Sequence, residues 1–173
     1  MNENVPLSYS VYDTAAGDVT IIASEKCITG LMFVAVDPAG CVNEENALLY
    51  DAIIELNQYC FGQRKVFDLH LAPAATDFEK KVLDFVKTIP YGETRTYEDV
   101  AKGIGEPNAA RSVGAALNKN PIPILIPCHR VIGKDGTMVG YVGGIELKKK
   151  LITMEKTNAH RDFKPGNYAD PED

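Results

Sequence analysis

Residues 121–133 read Pro-Ile-Pro-Ile-Leu-Ile-Pro-Cys-His-Arg-Val-Ile-Gly, and three consecutive side chains in this run could do chemistry: Cys128, His129 and Arg130. A thiol, an imidazole and a guanidinium follow a stretch whose isoleucines belong in a core. Three readings compete. A buried cysteine, a histidine facing elsewhere and an arginine in an ion pair would be purely structural, since free cysteine is among the most buried residue types. A metal site would need more ligands, because adjacent residues rarely hold one ion together and no second pair stands at ligand spacing. A nucleophilic thiolate would need an imidazole to draw off its proton and an acidic side chain to orient that imidazole. Pro121, Pro123 and Pro127 would stiffen the approach to the thiol. A rigid, narrow, apolar cleft suits a thiol that attacks one hidden target.

The elements that must position these residues can be read from periodicity. Leu7–Tyr12 alternates, and Asp18–Ala23 and Ile28–Val34 are β-branched runs bounded by turn residues, so three strands are expected. Asn43–Phe61 reads as a helix, with Leu48, Leu49, Ala52, Ile53, Leu56 and Cys60 at spacings of three and four and Gly62 ending it. Val66–Leu71 alternates again, as a short strand. Residues 71–75 form a linker. Thr76 or Asp77 can cap a helix carrying Phe78, Val82, Phe85, Val86 and Ile89 on one face, which Pro90-Tyr91-Gly92 breaks. Thr96, with Asp99 three residues on, has the form of a capping box. Asn108 can cap the next helix, Ala109–Leu117. Two short helices joined by a glycine-containing turn match a helix-turn-helix. The second is rich in small residues (Ala109, Ala110, Ser112, Gly114, Ala115, Ala116), which fits either close approach to another surface or tight core packing. After Val131-Ile132 and a turn at 134–137, residues 139–144 form a glycine-rich loop. Glu146–Lys156 is a last helix, with Leu147, Leu151 and Met154 inward.

The chain is therefore expected to be α+β: an N-terminal α+β domain over 1–72, a mostly helical domain over 76–157 that holds Cys128, and a flexible polar tail over 158–173. Its 173 residues suffice for a sizeable core. The first twelve residues lack the basic start and apolar run of a signal peptide, and no run of apolar residues is long enough to span a membrane. Cys27, Cys41, Cys60 and Cys128 are widely separated, which favours a reducing compartment, cytoplasmic or, in a eukaryotic cell, nuclear. The net charge of −6 argues against a nucleic-acid partner for the chain as a whole. The charge is uneven, however: residues 76–158 carry 13 basic and 10 acidic side chains, residues 1–75 only 3 basic against 10 acidic. The half that holds Cys128 permits a nucleic-acid surface.

Ile124–Ile132 resembles the active-site signature of the O6-alkylguanine-DNA alkyltransferases, the methylated-DNA–protein-cysteine methyltransferases. The resemblance extends in order and spacing over about residues 76–156. Ile89–Thr94 followed by Thr96-Tyr97 resembles the lead into the family's helix-turn-helix, and Asn108–Gly114 resembles its recognition helix. Asn118–Pro121 resembles its asparagine hinge, and Gly140–Gly144 with Leu147–Glu155 its loop and last helix. Residues 7–70 fit the family's variable N-terminal domain loosely. The resemblance implies a ribonuclease H-like N-terminal domain and a winged-helix-like helix-turn-helix. It also implies direct-reversal repair: irreversible, stoichiometric transfer of an alkyl group from O6-alkylguanine, and from O4-alkylthymine in some members, to the protein's own cysteine. The nucleotide is first rotated out of duplex DNA.

On that resemblance Cys128 is the nucleophile and acceptor. His129 removes its proton through a water, Glu155 orients His129, and Asn120 braces the turn. Tyr97 donates to the leaving base and crowds the phosphate. Arg111 fills the gap left by the rotated base. Thr96, Ala109, Ala110, Ser112, Gly114 and Ala115 face DNA, the small residues because the minor groove is only about 6 Å wide. Pro123, Val131, Tyr141, Val142 and Gly143 form the base pocket, and Arg130 is structural. The expected partner is double-stranded DNA carrying O6-alkylguanine, met by a monomer through the minor groove, with no cofactor and no membrane. Three departures stand out. Val142 replaces a serine of some relatives, which bears on bulky alkyl groups. Leu83 replaces a frequent tryptophan. Cys27, Cys41, Cys60 and His70 lack the zinc-ligand spacing of some relatives, so no metal is expected. An alkyltransferase-like damage reader would lack the cysteine. A sequence-reading regulator would need base-edge readers along its helix. A cysteine hydrolase would turn over.

Overall fold

The computed structural model describes residues 5–162. Its N-terminal part is a small sheet with one helix. Strands β1 (Leu7–Thr14), β2 (Gly17–Ala23) and β3 (Ile28–Met32) form an antiparallel meander, and β4 (Cys41–Asn43) adds to the free edge of β1 in parallel, giving the order β3-β2-β1-β4. Val19, Ile21 and Ala23 turn one face of β2 into the core, where helix α1 (Ala47–Cys60) covers it with Leu49, Ala52, Ile53, Leu56 and Tyr59. This alternation against a helical stripe is the pattern that binds a half-buried sheet to a helix.

The C-terminal part is helical. Thr76 caps α2 (Asp77–Val86) and Thr96 caps α3 (Tyr97–Gly103), each completing a reciprocal capping box, with Glu79 and Asp99 respectively. Helix α4 (Ala110–Asn118) packs on both. Two residues of β5 (Arg95–Thr96) pair in parallel with β6 (Val131–Ile132), which ties the start of α3 to the chain just after Arg130. Helix α5 (Ile145–Asn158) closes the chain and packs on the turn 128–130.

Several expectations need correction. Val66–Leu71 is not a strand: its alternation is real, with Phe67, Leu69 and Leu71 half-buried against the core and Val66, Asp68 and His70 exposed, but only Leu71 bridges a neighbour, Ile28. Helix α1 begins after Asn46, not Asn43, because Cys41–Asn43 is drawn into pairing with β1. Strand β3 stops at Met32: beyond it, the Thr20 hydroxyl donates to Val34 O and accepts from Val36 N, replacing ladder bonds with side-chain bonds. Asn108 does not cap α4. The cap position falls on Ala109, which makes no side-chain bond, because the preceding turn is closed by Ala109 N–H to Glu106 O. Leu147 and Met154 are only half-buried, whereas Lys148, Ile152, Glu155 and Asn158 are buried with Leu151. Helix α5 runs to Asn158, the first residue of the expected tail, and Lys65 Nζ donates to Ala159 O. Residues 163–173 of that tail lie outside the described residues.

Candidate active site

Cys128, His129 and Arg130 form one turn of 3-10 helix between Pro127 and β6. All three are buried, His129 completely. The turn is set by what precedes it. Asn120, buried at the end of α4, accepts from Ile122 N–H at 3.0 Å through its side-chain oxygen and donates to Ile126 O at 3.0 Å through its amide nitrogen. These two bonds clamp residues 122–126 into a tight loop, in which Ile126 N–H also reaches Ile122 O. The clamp is firm enough to hold Ile124, a β-branched residue, at φ +69°, where side chains of this kind are strained.

Glu155, fully buried on α5, is the hub of the site. His129 Nε2 lies 2.7 Å from its Oε1. Arg130 donates Nε to Oε2 and Nη2 to Oε1, both at 2.9 Å, in the two-pronged geometry that suits a guanidinium and a carboxylate. The Tyr59 hydroxyl donates to Oε1 at 2.6 Å, and the Gly92 N–H to Oε2 at 3.2 Å. Arg130 also donates Nη1 to Ile89 O at 2.7 Å, so its guanidinium is anchored at both ends. Burial alone would raise the carboxyl, but the hydrogen bonds and charges of His129 and Arg130 outweigh it and hold Glu155 at about 2. The carboxylate is therefore ionised and can only accept.

Two consequences follow for His129. Burial pushes its imidazole below the usual range, with Arg130 and Lys148 adding to the effect and Glu155 opposing it, so the ring is neutral at pH 7. A neutral ring bonded through Nε2 to an acceptor-only carboxylate must carry its proton on Nε2. Nδ1 then presents a lone pair and has no hydrogen-bond partner among the described residues. Next to it in sequence, burial pushes the Cys128 thiol up to about 11, with Asn120 and the positive charge of Lys148 pulling the other way. At pH 7 such a thiol is roughly one part in ten thousand ionised, so it reacts as a nucleophile only with a base at hand.

The cysteine faces a pocket walled by Tyr97, Leu117, Asn118, Gly140, Tyr141, Val142 and Lys148. Its volume is only about 10 Å³. Tyr97 and Lys148 keep it closed: the Tyr97 hydroxyl donates to Val139 O at 3.0 Å, and Lys148 Nζ donates to Val139 O at 3.1 Å and Gly140 O at 3.3 Å. Of the expected pocket residues, Tyr141 and Val142 line this cavity, whereas Pro123, Val131 and Gly143 do not; Pro123 and Val131 are buried behind it. Gly143 packs instead against Phe33 and Leu147, leaving no room for a Cβ.

Helix α4 divides cleanly. Val113, Ala116 and Leu117 face the core, while Arg111, Ser112 and Ala115 are exposed on the opposite side. Ala109, Ala110 and Gly114 are half-buried, and Gly114 packs under the Tyr97 ring. The small residues thus contribute an exposed, low-profile surface as well as a close helix contact. Thr96 is occupied as the cap of α3.

Three contributors escaped the sequence reading: Tyr59, Gly92 and Lys148. Tyr59 lies three residues after Leu56, on the apolar stripe of α1, and Lys148 shares its face of α5 with Leu151 and Glu155. A hydroxyl or an ammonium on a buried face needs a partner, and that was the available signal. The backbone contact of Gly92 left none.

Comparison with known proteins identifies the family of the chain. Residues 7–73 match the family model described as 6-O-methylguanine DNA methyltransferase, ribonuclease-like domain, and residues 77–157 match 6-O-methylguanine DNA methyltransferase, DNA binding domain. The chain is 41% identical over 155 residues to the methylated-DNA–protein-cysteine methyltransferase of Methanosarcina barkeri, covering 87% of this chain and 98% of the relative. It is 38% identical over 160 residues to the enzyme of the same name from Mycobacterium bovis, covering 91% and 97%. The crystal structure of Mycobacterium tuberculosis OGT in complex with DNA superposes with a TM-score of 0.83 at 39% identity, covering 87% of this chain and 94% of that one. With both family models matched in chain order and together covering most of the chain, the chain belongs to the 6-O-methylguanine DNA methyltransferase family.

Proposed function

We propose that this protein repairs duplex DNA by moving the alkyl group of O6-alkylguanine to Cys128, once per molecule. The observation that carries the reading is the 2.7 Å contact of His129 Nε2 with the Glu155 carboxylate, which keeps the proton on Nε2 and leaves Nδ1 as a base in the residue next to a buried thiol. The thiol proton passes to Nδ1 through a water. The sulfur then attacks the alkyl carbon, forming the S–C bond as the O6–C bond breaks; the departing guanine anion is met by the Tyr97 hydroxyl and takes up one proton, balanced by the thiol proton that the His129 imidazolium gives back through water. The acceptor ends as a thioether, which has no route back to the thiol. Lys148 adds positive charge near the sulfur as the thiolate forms.

The pocket is too small for a base while the 139–144 loop is tied down, so binding must release the Val139 contacts of Tyr97 and Lys148. The duplex supplies the driving force. Helix α4 presents Ser112 and Ala115 to the minor groove and Arg111 to the stack, where its guanidinium takes the place of the rotated nucleotide. Asn120 ties the end of α4 to the cysteine turn, and Tyr141 and Val142 flank the base. The modest basic excess of this half suits few phosphate contacts and little sequence preference. The protein acts as a monomer on DNA carrying the lesion.

The test is a titration of repaired duplex against protein. Product should rise to one equivalent and stop, and Cys128→Ser should give none while still binding DNA. Product continuing beyond one equivalent would point to a hydrolase and overturn the reading.

A further inference from the structure

Tyr59 belongs to α1, in the N-terminal part, 70 residues before His129 in the chain. Its ring is nevertheless fully buried, and its hydroxyl lies between the two groups that set the reactivity of Cys128: 2.6 Å from Glu155 Oε1 and 3.2 Å from His129 Nε2. The direction of these contacts is forced. The carboxylate can only accept, so the single phenolic proton points to Glu155. Burial and the charge of Glu155 raise the phenol well above its ordinary range, so that proton stays on the oxygen. The oxygen's remaining lone pairs face His129 Nε2. The Nε2–H therefore has two acceptors. The opposite tautomer would set a nitrogen lone pair against both the carboxylate and the phenolic oxygen.

The ring is held from both halves of the chain. It packs at 5.3 Å on Phe67, edge-on at 6.0 Å to Tyr91, and at 6.4 Å from the His129 ring. Tyr91 in turn lies under the Arg130 guanidinium at 5.7 Å. The hydroxyl cannot leave the pair without displacing its neighbours.

We propose that Tyr59 is a positioning residue for alkyl transfer: it locks His129 in the tautomer whose Nδ1 lone pair accepts the thiol proton, and so makes the reactivity of the C-terminal half depend on a side chain of the N-terminal half. The inference rests on His129 acting as the base. His129 is faced by Glu155 and Lys148 from α5, Tyr59 from α1, Tyr141 from the 139–144 loop, and Arg130 from its own turn. Tyr59 and Tyr141 can each lose a hydroxyl without changing the charge of this set, but of the two only the Tyr59 hydroxyl bonds to the His129–Glu155 pair.

The experiment is Tyr59→Phe in the full chain, followed by methyl transfer from an O6-methylguanine duplex as a function of pH. Removing one donor from Glu155 leaves more of the carboxylate's field on His129, which favours the imidazolium. The acid limb of the rate profile should therefore move to higher pH, and the plateau rate should fall about tenfold. A plateau within twofold of the unaltered chain, or a slower variant whose acid limb has not moved, would mean that Tyr59 only packs, and would overturn the proposal. Should the variant fail to fold, site-specific 3-fluorotyrosine at position 59, which keeps the hydroxyl but makes it a stronger donor to Glu155 and a weaker acceptor, decides: an acid limb moved to lower pH supports the proposal, and an unchanged profile defeats it. Absence of methyl transfer in the unaltered chain is a separate result, which removes the proposed function itself.

Discussion

Replacing Glu155 by glutamine tests the hub of the site through stability alone. The change is nearly isosteric but removes the negative charge that neutralises buried Arg130, and it turns one acceptor atom into a donor facing Tyr59, Gly92, His129 or Arg130. Two routes give its magnitude. Glu155 is held at about 2, against roughly 4.3 for an unfolded glutamate, and a difference of about 2.3 units is worth about 3 kcal/mol. Removing one partner of a buried ion pair costs about 3–5 kcal/mol. Both predict that Glu155→Gln loses at least about 3 kcal/mol at pH 7, a fall of about 10 °C in Tm for a protein of this size. The sign with pH follows from the depressed carboxyl. Its contribution is complete above the unfolded value, near pH 4.3, and disappears as the pH falls through about 2. Urea unfolding at pH 7 and about pH 3 should therefore show the two proteins far apart at the first and converging at the second. A loss below about 1 kcal/mol at pH 7, or a gap that is the same at both pH values, would refute the argument that this carboxylate is a paired, buried anion.

Two further outcomes test the reactive groups. If Cys128, held at about 11, reacted as a free thiolate, the transfer rate would climb roughly tenfold per unit between about pH 7 and 10. With neutral His129 as base the rate should instead be flat across that range and fall only where the imidazole protonates, below the ordinary histidine range; stopped-flow transfer rates would separate the two. Arg111→Ala should slow repair of an O6-methylguanine duplex while leaving reaction with the free O6-methylguanine base unchanged, because the exposed guanidinium acts on the DNA stack and not on the thiol. Equal losses with both substrates would place Arg111 elsewhere in the mechanism.

What the sequence made legible was local. The Thr96–Asp99 capping box and the apolar stripes of α1 and α2 follow from spacing, and the spacing is what the backbone obeys. The burial of the run leading to Cys128 was legible from its isoleucines and prolines; that His129 and Arg130 are buried with it was not. What stayed hidden was non-local. Strand β4 is three residues long, and only its parallel partner β1 makes it a strand. Val66–Leu71 alternates like a strand and packs Phe67, Leu69 and Leu71 on the core, yet finds a single bridge, because side-chain periodicity does not supply a backbone partner. Tyr59 and Lys148 sit at core positions of their helices, where a periodicity count sees apolar stripes interrupted by polar residues. Their reasons for being there, Glu155 in one case and the carbonyls of Val139 and Gly140 in the other, come from contacts across the fold. Glu155 itself was expected to serve His129 alone. That it also neutralises Arg130 and collects Tyr59 and Gly92 could not be read from a position on a helix.

The central claim is that Cys128 itself becomes the acceptor. It is tested most directly by intact-protein mass spectrometry after mixing with a duplex that carries one O6-methylguanine, followed by peptide mapping. The protein should gain a single methyl group, confined to the peptide containing Cys128 and saturating at one per molecule. A methyl group on another residue, or a repaired duplex with no mass gained by the protein, would contradict that claim.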